Sequence, residues 1–447
     1  MPDLVDLCAR AVAGARDGED VEAYASAGQR TQVRVRGGEV ESLTFADSRG
    51  IGVRVITGSR VGYAYAADPD EDDVDALVER ARESAGFAEP DEGNALPPLV
   101  SVEPMAGIYR QTQSGVETSR KVSLALEVEH ASVSVHPDVH KVEAAGYGDS
   151  VSWMAVSSTK GGPLEYARTD SWVTVSTLAE RDGETQTGFS FALARGIDEL
   201  DWEAAAREAA LRAVRLLGGK KPQSERTAVV LDPVAAASFL GVLAGALSAE
   251  SVLKGRSLLA GRIGEEVAAG SVTLVDDGRL LEGPAVAPLD DEGVATARTP
   301  LIEGGILRGF LHNTYTAVKL GERSTGNAGR GGYRTVPGVS PSNLYLQPGE
   351  ASLEELLEQV GRAVYVQEVT GLHSGANPIS GEFSVGATGL RVEDGNLSGP
   401  LREMTIASTL LDVLGSVVAL GNDLRFPLGG GLGAPTVVVA EMTLGGA

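Results

Sequence analysis

The chain has 447 residues, 43% hydrophobic and 22% charged, so it is long enough for two or three domains and too apolar to be disordered. Its 62 acidic residues outnumber its 38 Lys and Arg, and the formal net charge is −24. This balance argues against a nucleic-acid-binding surface, because phosphate contacts need a basic face. The single cysteine, Cys8, excludes an intrachain disulfide and a thiolate-rich metal site.

Targeting signals are not evident in the sequence. The first twenty residues contain Asp3 and Asp6 and have no apolar core, so they predict no signal peptide. The longest apolar stretch, residues 239–249, is too short to cross a bilayer. Together with the scarcity of cysteine, these features predict a cytoplasmic protein that does not contact a membrane.

The first half of the chain alternates helical and strand patterns. Hydrophobic residues at helical spacing predict helices over residues 3–17, around 74–81, and over 116–130 and 201–217. Period-two patterns predict strands over residues 21–27, 31–36, 39–47, 50–56, 151–156 and 171–176. The sequence Arg36-Gly37-Gly38-Glu39 is typical of a hairpin turn. Lys220-Lys221-Pro222 then interrupts the pattern and marks the predicted main domain boundary.

The second half opens with a strand, Thr227 to Leu231, and Asp232-Pro233 predicts the start of a helix that runs to about Ala249. A hairpin over residues 299–307 and a helix over 352–361 follow. Further strands are predicted over residues 365–369, 382–387, 389–393 and 436–442. No sequence repeat of fixed period is visible. The predicted fold class is α+β with mostly antiparallel sheets, in which an N-terminal α+β domain (1–220) precedes a larger β-rich domain (221–447).

Few residues could take part in histidine-based catalysis or metal binding, because the chain contains only five histidines. His136 and His140 have the i, i+4 spacing of a helical metal pair, and His130 lies nearby. However, Pro137 follows His136 directly and no Glu lies between the pair. We therefore favour surface histidines over a metal site here, and a structural role for His312.

Two polar, glycine-rich loops are better candidates for binding groups. One spans residues 370–384 and contains His373, Ser374 and Asn377. The other spans residues 323–332 and carries two arginines, which suit a carboxylate or a peptide backbone. Loops of this kind hold binding groups on rigid scaffolds, although a tight connection or a solvated loop is the alternative for each. Ser374 and His373 do not form a catalytic pair, because adjacent residues of an extended segment point apart.

These loops resemble the TldD/PmbA family, and more closely its PmbA (TldE) branch, once named modulators of DNA gyrase. The resemblance is carried by Ser324-Thr325-Gly326-Asn327-Ala328-Gly329, by GLHSGANPISGEFSVGATG from Gly371 to Gly389, and by Met404-Thr405-Ile406-Ala407 and Gly421-Asn422-Asp423-Leu424. The segment from Gly50 to Val55 resembles the family's N-terminal domain. The similarity covers nearly the whole chain.

The resemblance implies a two-subunit zinc peptidase that hydrolyses small or unfolded peptides. A TldD-type subunit supplies zinc through a His-Glu-x-x-x-His helix and a C-terminal Cys, and the TldE-type subunit closes the cleft. This chain has no histidine between Asp232 and Arg256 and no cysteine near Phe426. The resemblance therefore implies a TldD-type partner and a peptide substrate, with no catalytic residue, metal ligand or cofactor in this chain itself.

For the substrate cleft or its rim we expect Asn327, Arg330, His373, Ser374 and Asn377 to contribute. An extended peptide would pair with an exposed strand edge, a mode of recognition with little sequence preference. Two alternatives stay open: a peptide-binding or assembly homodimer without catalysis, and a partner subunit of a hydrolase that trims a biosynthetic peptide.

Overall fold

The N-terminal half consists of two successive units, each built as helix, three long strands and helix. The computed structural model describes residues 3–446. The first unit contains α1 (Leu4–Ala13), β1 (Glu19–Arg36), β2 (Glu39–Thr57), β3 (Arg60–Ala67) and α2 (Glu71–Phe87). The second contains α3 (Thr118–Val133), β4 (Val139–Ser158), β5 (Gly161–Arg181), β6 (Glu184–Ala194) and α4 (Trp202–Val214).

The six strands form one antiparallel sheet in the order β3-β2-β1-β4-β5-β6. The four helices cover one face of this sheet, where alternate strand residues pack beneath them into two cores. Opposite-facing residues of β1, β4 and β5, such as Tyr24, Met154 and Leu164, pack against Leu289 and Tyr333 of the C-terminal half. The sheet therefore lies between its own helices and the second half of the chain.

Two glycines show that the units repeat in three dimensions although no sequence repeat is visible. A Cβ atom on Gly62 of β3 would collide with the carbonyl oxygen of Ala81 and the amide of Ala85 on α2. A Cβ on Gly188 of β6 would collide in the same way with Ala209 and Ala213 on α4. In both units a glycine lets the terminal helix approach the edge strand closely.

The C-terminal half begins with a strand and helix and continues through many short elements. Its first elements are β7 (Glu225–Leu231), α5 (Pro233–Ala246), α6 (Ala249–Leu253), β8 (Leu274–Asp277), β9 (Arg298–Glu303), β10 (Ile306–Leu307), α7 (Thr314–Leu320), β11 (Ala328–Gly329), β12 (Gly338–Val339) and β13 (Leu344–Leu346). The remaining elements are α8 (Leu353–Val360), β14 (Ala363–Thr370), α9 (Leu372–Gly375), β15 (Glu382–Glu393), β16 (Asn396–Thr409), α10 (Leu410–Gly415), β17 (Val417–Leu420), β18 (Leu432–Gly433) and β19 (Val437–Gly445).

Five of these strands close on themselves, because β19 pairs with both β7 and β16. The ring runs β16-β15-β14-β7-β19, and only the β7–β14 pair is parallel. Val229 and Leu231 lie in the large core that includes α5, whereas Val230 packs in the core beside α8. A second sheet has the order β10-β9-β8-β13-β18.

The α+β fold class with largely antiparallel sheets is confirmed. The predicted cap is also present, since Asp232 Oδ1 accepts a hydrogen bond from Val234 N at 3.0 Å and α5 begins at Pro233. The two strands predicted over 382–387 and 389–393 are a single strand, β15, with register shifts along it. Across residues 3–446, no helix combines the length and apolar character needed to cross a bilayer.

Candidate functional site

Asn327 lies in a buried polar network beside β8. Its side-chain amide donates to Asp276 Oδ2 at 2.7 Å, and its Oδ1 accepts from Thr325 Oγ1 at 2.7 Å. Ser342 also donates to Asp276, through its backbone N–H at 2.8 Å and its hydroxyl at 2.6 Å. Burial raises the pKa of Asp276 despite these donors. Asn327 is only 3% exposed, and its hydrogen bonds tie its own loop to β8.

Arg330 joins the two halves of the chain. Its guanidinium is fully buried and forms an ion pair with Glu22 on β1, whose side chain is 2% exposed. Arg330 Nε donates to the carbonyl oxygen of Asp291 at 3.0 Å, and the guanidinium lies over the ring of Tyr24 at 4.9 Å from its centroid. A buried charge is tolerated only when it is paired and hydrogen-bonded, and Arg330 meets both conditions.

The Glu22 carboxylate has a second arginine partner. Arg54 on β2 forms an ion pair with Glu22 and contacts Glu292 Oε1 at 3.0 Å. The other oxygen of Glu292 accepts from the backbone N–H of Thr314 at 2.9 Å, at the start of α7. We call Glu22, Arg54, Glu292 and Arg330 the inter-domain cluster. Its charges alternate in sign, so each ion is neutralised by a neighbour.

A polar cavity of about 340 Å³ opens between Tyr166 and Arg168 on β5 and the loops that contain Asp290 and Asn327. One carboxylate of its lining, Asp290, already has partners. Asp290 accepts backbone hydrogen bonds at 2.9 Å from Glu292, Val294 and Ala328. The carboxylate therefore holds two loops in place, and its oxygens are engaged before any ligand arrives.

His373, Ser374 and Asn377 lie elsewhere, on an exposed loop between β14 and β15. Ser374 donates its hydroxyl to the carbonyl oxygen of Gly371 at 3.3 Å. Asn377 Oδ1 accepts from the backbone of Ile379 at 2.9 Å and of Ser380 at 3.2 Å, which closes a tight turn. The loop contacts β15 through α9.

The five predicted cleft residues therefore fall into two groups. Asn327 and Arg330 are held in buried networks, whereas His373, Ser374 and Asn377 are exposed to solvent. The hydrogen bonds of residues 3–446 include none that joins one group to the other. Their contribution to a substrate cleft stays a prediction.

A second cavity, of about 220 Å³, lies where β6 and α4 meet the start of α5 and the end of β14. We call it the Gln367 pocket. Its lining includes Phe189, Glu208, Arg212, Val234, Gln367, Glu368, Val369 and Arg425. The sequence contains one signal for Gln367, because this residue interrupts the apolar run of β14, Ala363-Val364-Tyr365-Val366. The residues that surround it in the structure come from four distant segments.

The charged groups of the Gln367 pocket compensate one another. Glu208 accepts from Arg425 Nη1 at 2.7 Å and from Ser190 Oγ at 2.7 Å. Burial alone would raise the pKa of Glu208, but the bonds from Arg425 and Ser190 outweigh it and lower the pKa below its ordinary value. Arg212 forms an ion pair with Asp232 at 2.8 Å. The pocket therefore carries ionised but balanced side chains.

The three successive parts of the chain match three domains of a known protein family. Residues 21–85, 112–217 and 224–446 match, in that order, PmbA/TldA metallopeptidase domain 1, the central domain and the C-terminal domain. The chain belongs to the PmbA/TldD metallopeptidase family. It is 27% identical over 431 residues to Metalloprotease PmbA of Escherichia coli O157:H7, covering 95% of this chain and 92% of that protein.

Other members of the PmbA/TldD family are similar over comparable lengths. A TldD homolog of Haemophilus influenzae is 26% identical, covering 92% of this chain and 89% of the homolog. A solved structure from Thermotoga maritima, described as a proposed modulator of a DNA gyrase, superposes with a TM-score of 0.90 at 28% identity and covers 98% of this chain and 99% of its own. TldE from Thermococcus kodakarensis shares the fold, with a TM-score of 0.89 at 21% identity and coverage of 99% of both chains.

The family name implies a metal, but the residues of this PmbA/TldD member do not fit a zinc site on α5. The helix reads PVAAASFLGVLAGA and contains no His, Glu, Asp or Cys. Zinc in a hydrolase needs three protein ligands of those types and a bound water. Across residues 3–446, no three His, Cys, Asp or Glu side chains are grouped so that they could hold a metal ion.

Cysteine and histidine elsewhere in this family member are also unsuited to that role. Cys8 lies on the buried face of α1, and its Sγ contacts the carbonyl oxygen of Ala155 at 3.6 Å. Burial raises its pKa, which disfavours the thiolate that metals require. His130 and His140 are exposed, and no histidine of residues 3–446 belongs to a group of side chains that could hold a metal ion.

Proposed function

We propose that this chain is the TldE-type subunit of a heterodimeric zinc metallopeptidase that hydrolyses small or unfolded peptides. In this proposal a TldD-type partner supplies the zinc, and the present chain shapes the substrate cleft. The observation that carries it is the composition of α5, which has only apolar, Ser, Gly and Pro residues where the resemblance implies a metal-binding helix. A cytoplasmic location belongs to the same proposal.

The sheet edges of the N-terminal half support a role in peptide binding. Within residues 3–446, strand β6 pairs only with β5, and on its other edge the Phe191 carbonyl accepts from Arg425 Nη2 at 3.2 Å. An unpaired strand edge can accept an extended peptide as an additional strand, through backbone hydrogen bonds with little sequence preference. This suits a subunit that receives peptides of varied sequence.

An assembly homodimer without catalysis is a second candidate, and the free edge of β2 favours it. Residues 39–48 of β2 are exposed and, in the part of the chain that the structure describes, pair only with β1, since β3 pairs with β2 from Gly50 onward. Phe45 and Val40 on this edge are 59% and 45% exposed. An exposed edge with apolar side chains readily pairs with another chain.

Reconstitution separates the two candidates. The partner would be a chain of the same family that carries His-Glu-x-x-x-His, produced separately and then mixed with the present chain. We expect cleavage of an unstructured peptide only in the mixture, and loss of cleavage when the partner's first histidine is replaced by alanine. A stable homodimer that never associates with the partner, and a partner that cleaves equally well alone, would contradict the heterodimer.

A further inference from the structure

We infer that the Gln367 pocket binds one residue of an extended peptide, whose backbone N–H donates to Gln367 Oε1 and whose apolar side chain packs against Phe189 and Val369. The inference rests on the proposed function, in that it presumes a peptide ligand. It adds a position for that ligand on this chain, and the residues that line it include none of the five predicted cleft residues.

The backbone of β14 aims Gln367 at the pocket. The register of the β14–β15 pair shifts between Val366 and Glu368, so Gln367 is the extra residue of a β-bulge. Bulges redirect side chains and are common beside active sites. Arg212 stabilises the bulge, because its Nη2 donates to the backbone carbonyl of Gln367 at 2.8 Å.

The amide of Gln367 has a defined orientation. Its Nε2 donates to the carbonyl oxygen of Arg212 at 3.3 Å, and a flipped amide would place two oxygens against each other. Its Oε1 is buried and has no hydrogen-bond partner among residues 3–446. Gln367 is only 2% exposed, and it lines the pocket. A buried acceptor without a donor is unfavourable. A ligand that donates an N–H or O–H to Oε1 would therefore be stabilised in the pocket.

Charge balance argues for a neutral donor. Glu208 is paired with Arg425, and Arg212 is paired with Asp232, so these four groups neutralise one another. The remaining carboxylate of the lining, Glu368, is exposed, so its charge is hydrated rather than buried in the pocket. A peptide N–H satisfies the acceptor without adding charge. The neighbouring edge of β6 offers the same peptide a strand to pair with at Phe189, next to the Phe191 carbonyl that accepts from Arg425.

The volume and the apolar lining of the pocket indicate the size of the ligand side chain that it can hold. A volume of about 220 Å³ is smaller than typical small-molecule sites of about 300–1,000 Å³, so it takes part of a longer ligand. Phe189 is 46% exposed at the mouth, and Val234 and Val369 contribute further apolar surface. One leucine-sized residue fits this description.

The test uses the intact chain and a fluorescein-labelled nonapeptide with a single central leucine flanked by Gly and Ser. Binding is measured by fluorescence anisotropy, without any partner subunit. Methylation of the leucine nitrogen or of the next nitrogen removes one N–H donor at a time. We expect one of these two methylated peptides, and the peptide with alanine in place of leucine, to bind about tenfold or more weakly, as for loss of a buried hydrogen bond.

A protein variant and the methylated peptides together form a double-mutant cycle. Gln367→Met keeps the size of the side chain and removes the acceptor, and Gln32→Leu on the exposed part of β1 is the matched control. The methylation that weakens binding to the wild-type chain should have no further effect on Gln367→Met, whereas Gln32→Leu should bind like wild type. The inference would be overturned if the unmodified peptide did not bind. It would also be overturned if both methylations reduced the affinity equally, and did so to the same extent in the wild-type chain and in Gln367→Met. Cleavage by the reconstituted heterodimer would still stand in that case, so the two failures are distinguishable.

Discussion

Glu22 on β1 and Arg330 in the loop after β11 form a buried ion pair across 308 positions of sequence. The pair holds the N-terminal sheet against the C-terminal half, and Arg54 and Glu292 extend it into the inter-domain cluster. Arg330 is therefore explained by the packing of the two halves. Any contribution that it makes to a cleft would come through the position it gives to the surrounding loop.

Replacing Glu22 with Gln should strongly destabilise the chain. The substitution leaves Arg330 buried without its carboxylate, and breaking a buried pair costs about 3–5 kcal/mol in the free energy of unfolding. Urea denaturation followed by circular dichroism measures the loss. Glu41→Gln is the control, because the Glu41–Arg34 pair is exposed and should contribute less than about 1 kcal/mol. Equal effects of the two substitutions would contradict the role assigned to the cluster.

The glycines that bring helix and edge strand together give a second prediction. Gly62→Ala and Gly188→Ala should each destabilise by about 1–3 kcal/mol or more, because the new methyl group collides with helix backbone rather than with a movable side chain. Gly86→Ala on α2 has open space around the new Cβ and should stabilise the chain by about 0.5–1 kcal/mol. Thermal unfolding of the three variants checks this, and tolerance of alanine at Gly188 would refute the close approach of α4.

Glu208 gives a pH dependence with a definite sign. Its pKa is lower in the folded chain than the ordinary value of 4.5, so its pairing with Arg425 stabilises the fold above pH 4.5 and is lost as the pH falls through the folded pKa. The difference in the free energy of unfolding between wild type and Glu208→Gln should therefore shrink from pH 6 to pH 3. Urea titrations at four pH values measure it. A difference that grows on acidification would mean that the pKa is raised.

The parts of the fold that depend on local sequence were predictable. The Arg36–Glu39 turn joins β1 to β2, with Gly37 and Gly38 at φ of 65° and 77°, because only such residues adopt the turn that a two-residue hairpin needs. The start of α5 followed from Asp232 and Pro233 for a similar reason. In each case the residues that determine the structure are adjacent in the chain.

The candidate site was less accessible to sequence reasoning, because its partners are distant in sequence. Nothing in the loop around Arg330 indicates that the guanidinium meets Glu22 on β1. Likewise, Gln367 in an apolar strand signals a special position, but its bulge and its neighbours on α4 emerge only when β14 pairs with β15 and packs beside Arg212. The closure of the ring by β19 depends on two partners over 200 and about 40 positions away, and periodicity carries no information about such pairings.

The zinc content of the purified chain, measured by elemental analysis after gel filtration, tests the central claim most directly. The chain alone should contain essentially no zinc, and the complex with a TldD-type partner should contain about one zinc per heterodimer. Loss of that zinc on mutation of the partner's motif, with none lost on mutation of His130, His140 or His373 here, would agree with the account. Near-stoichiometric zinc in the chain alone would contradict it.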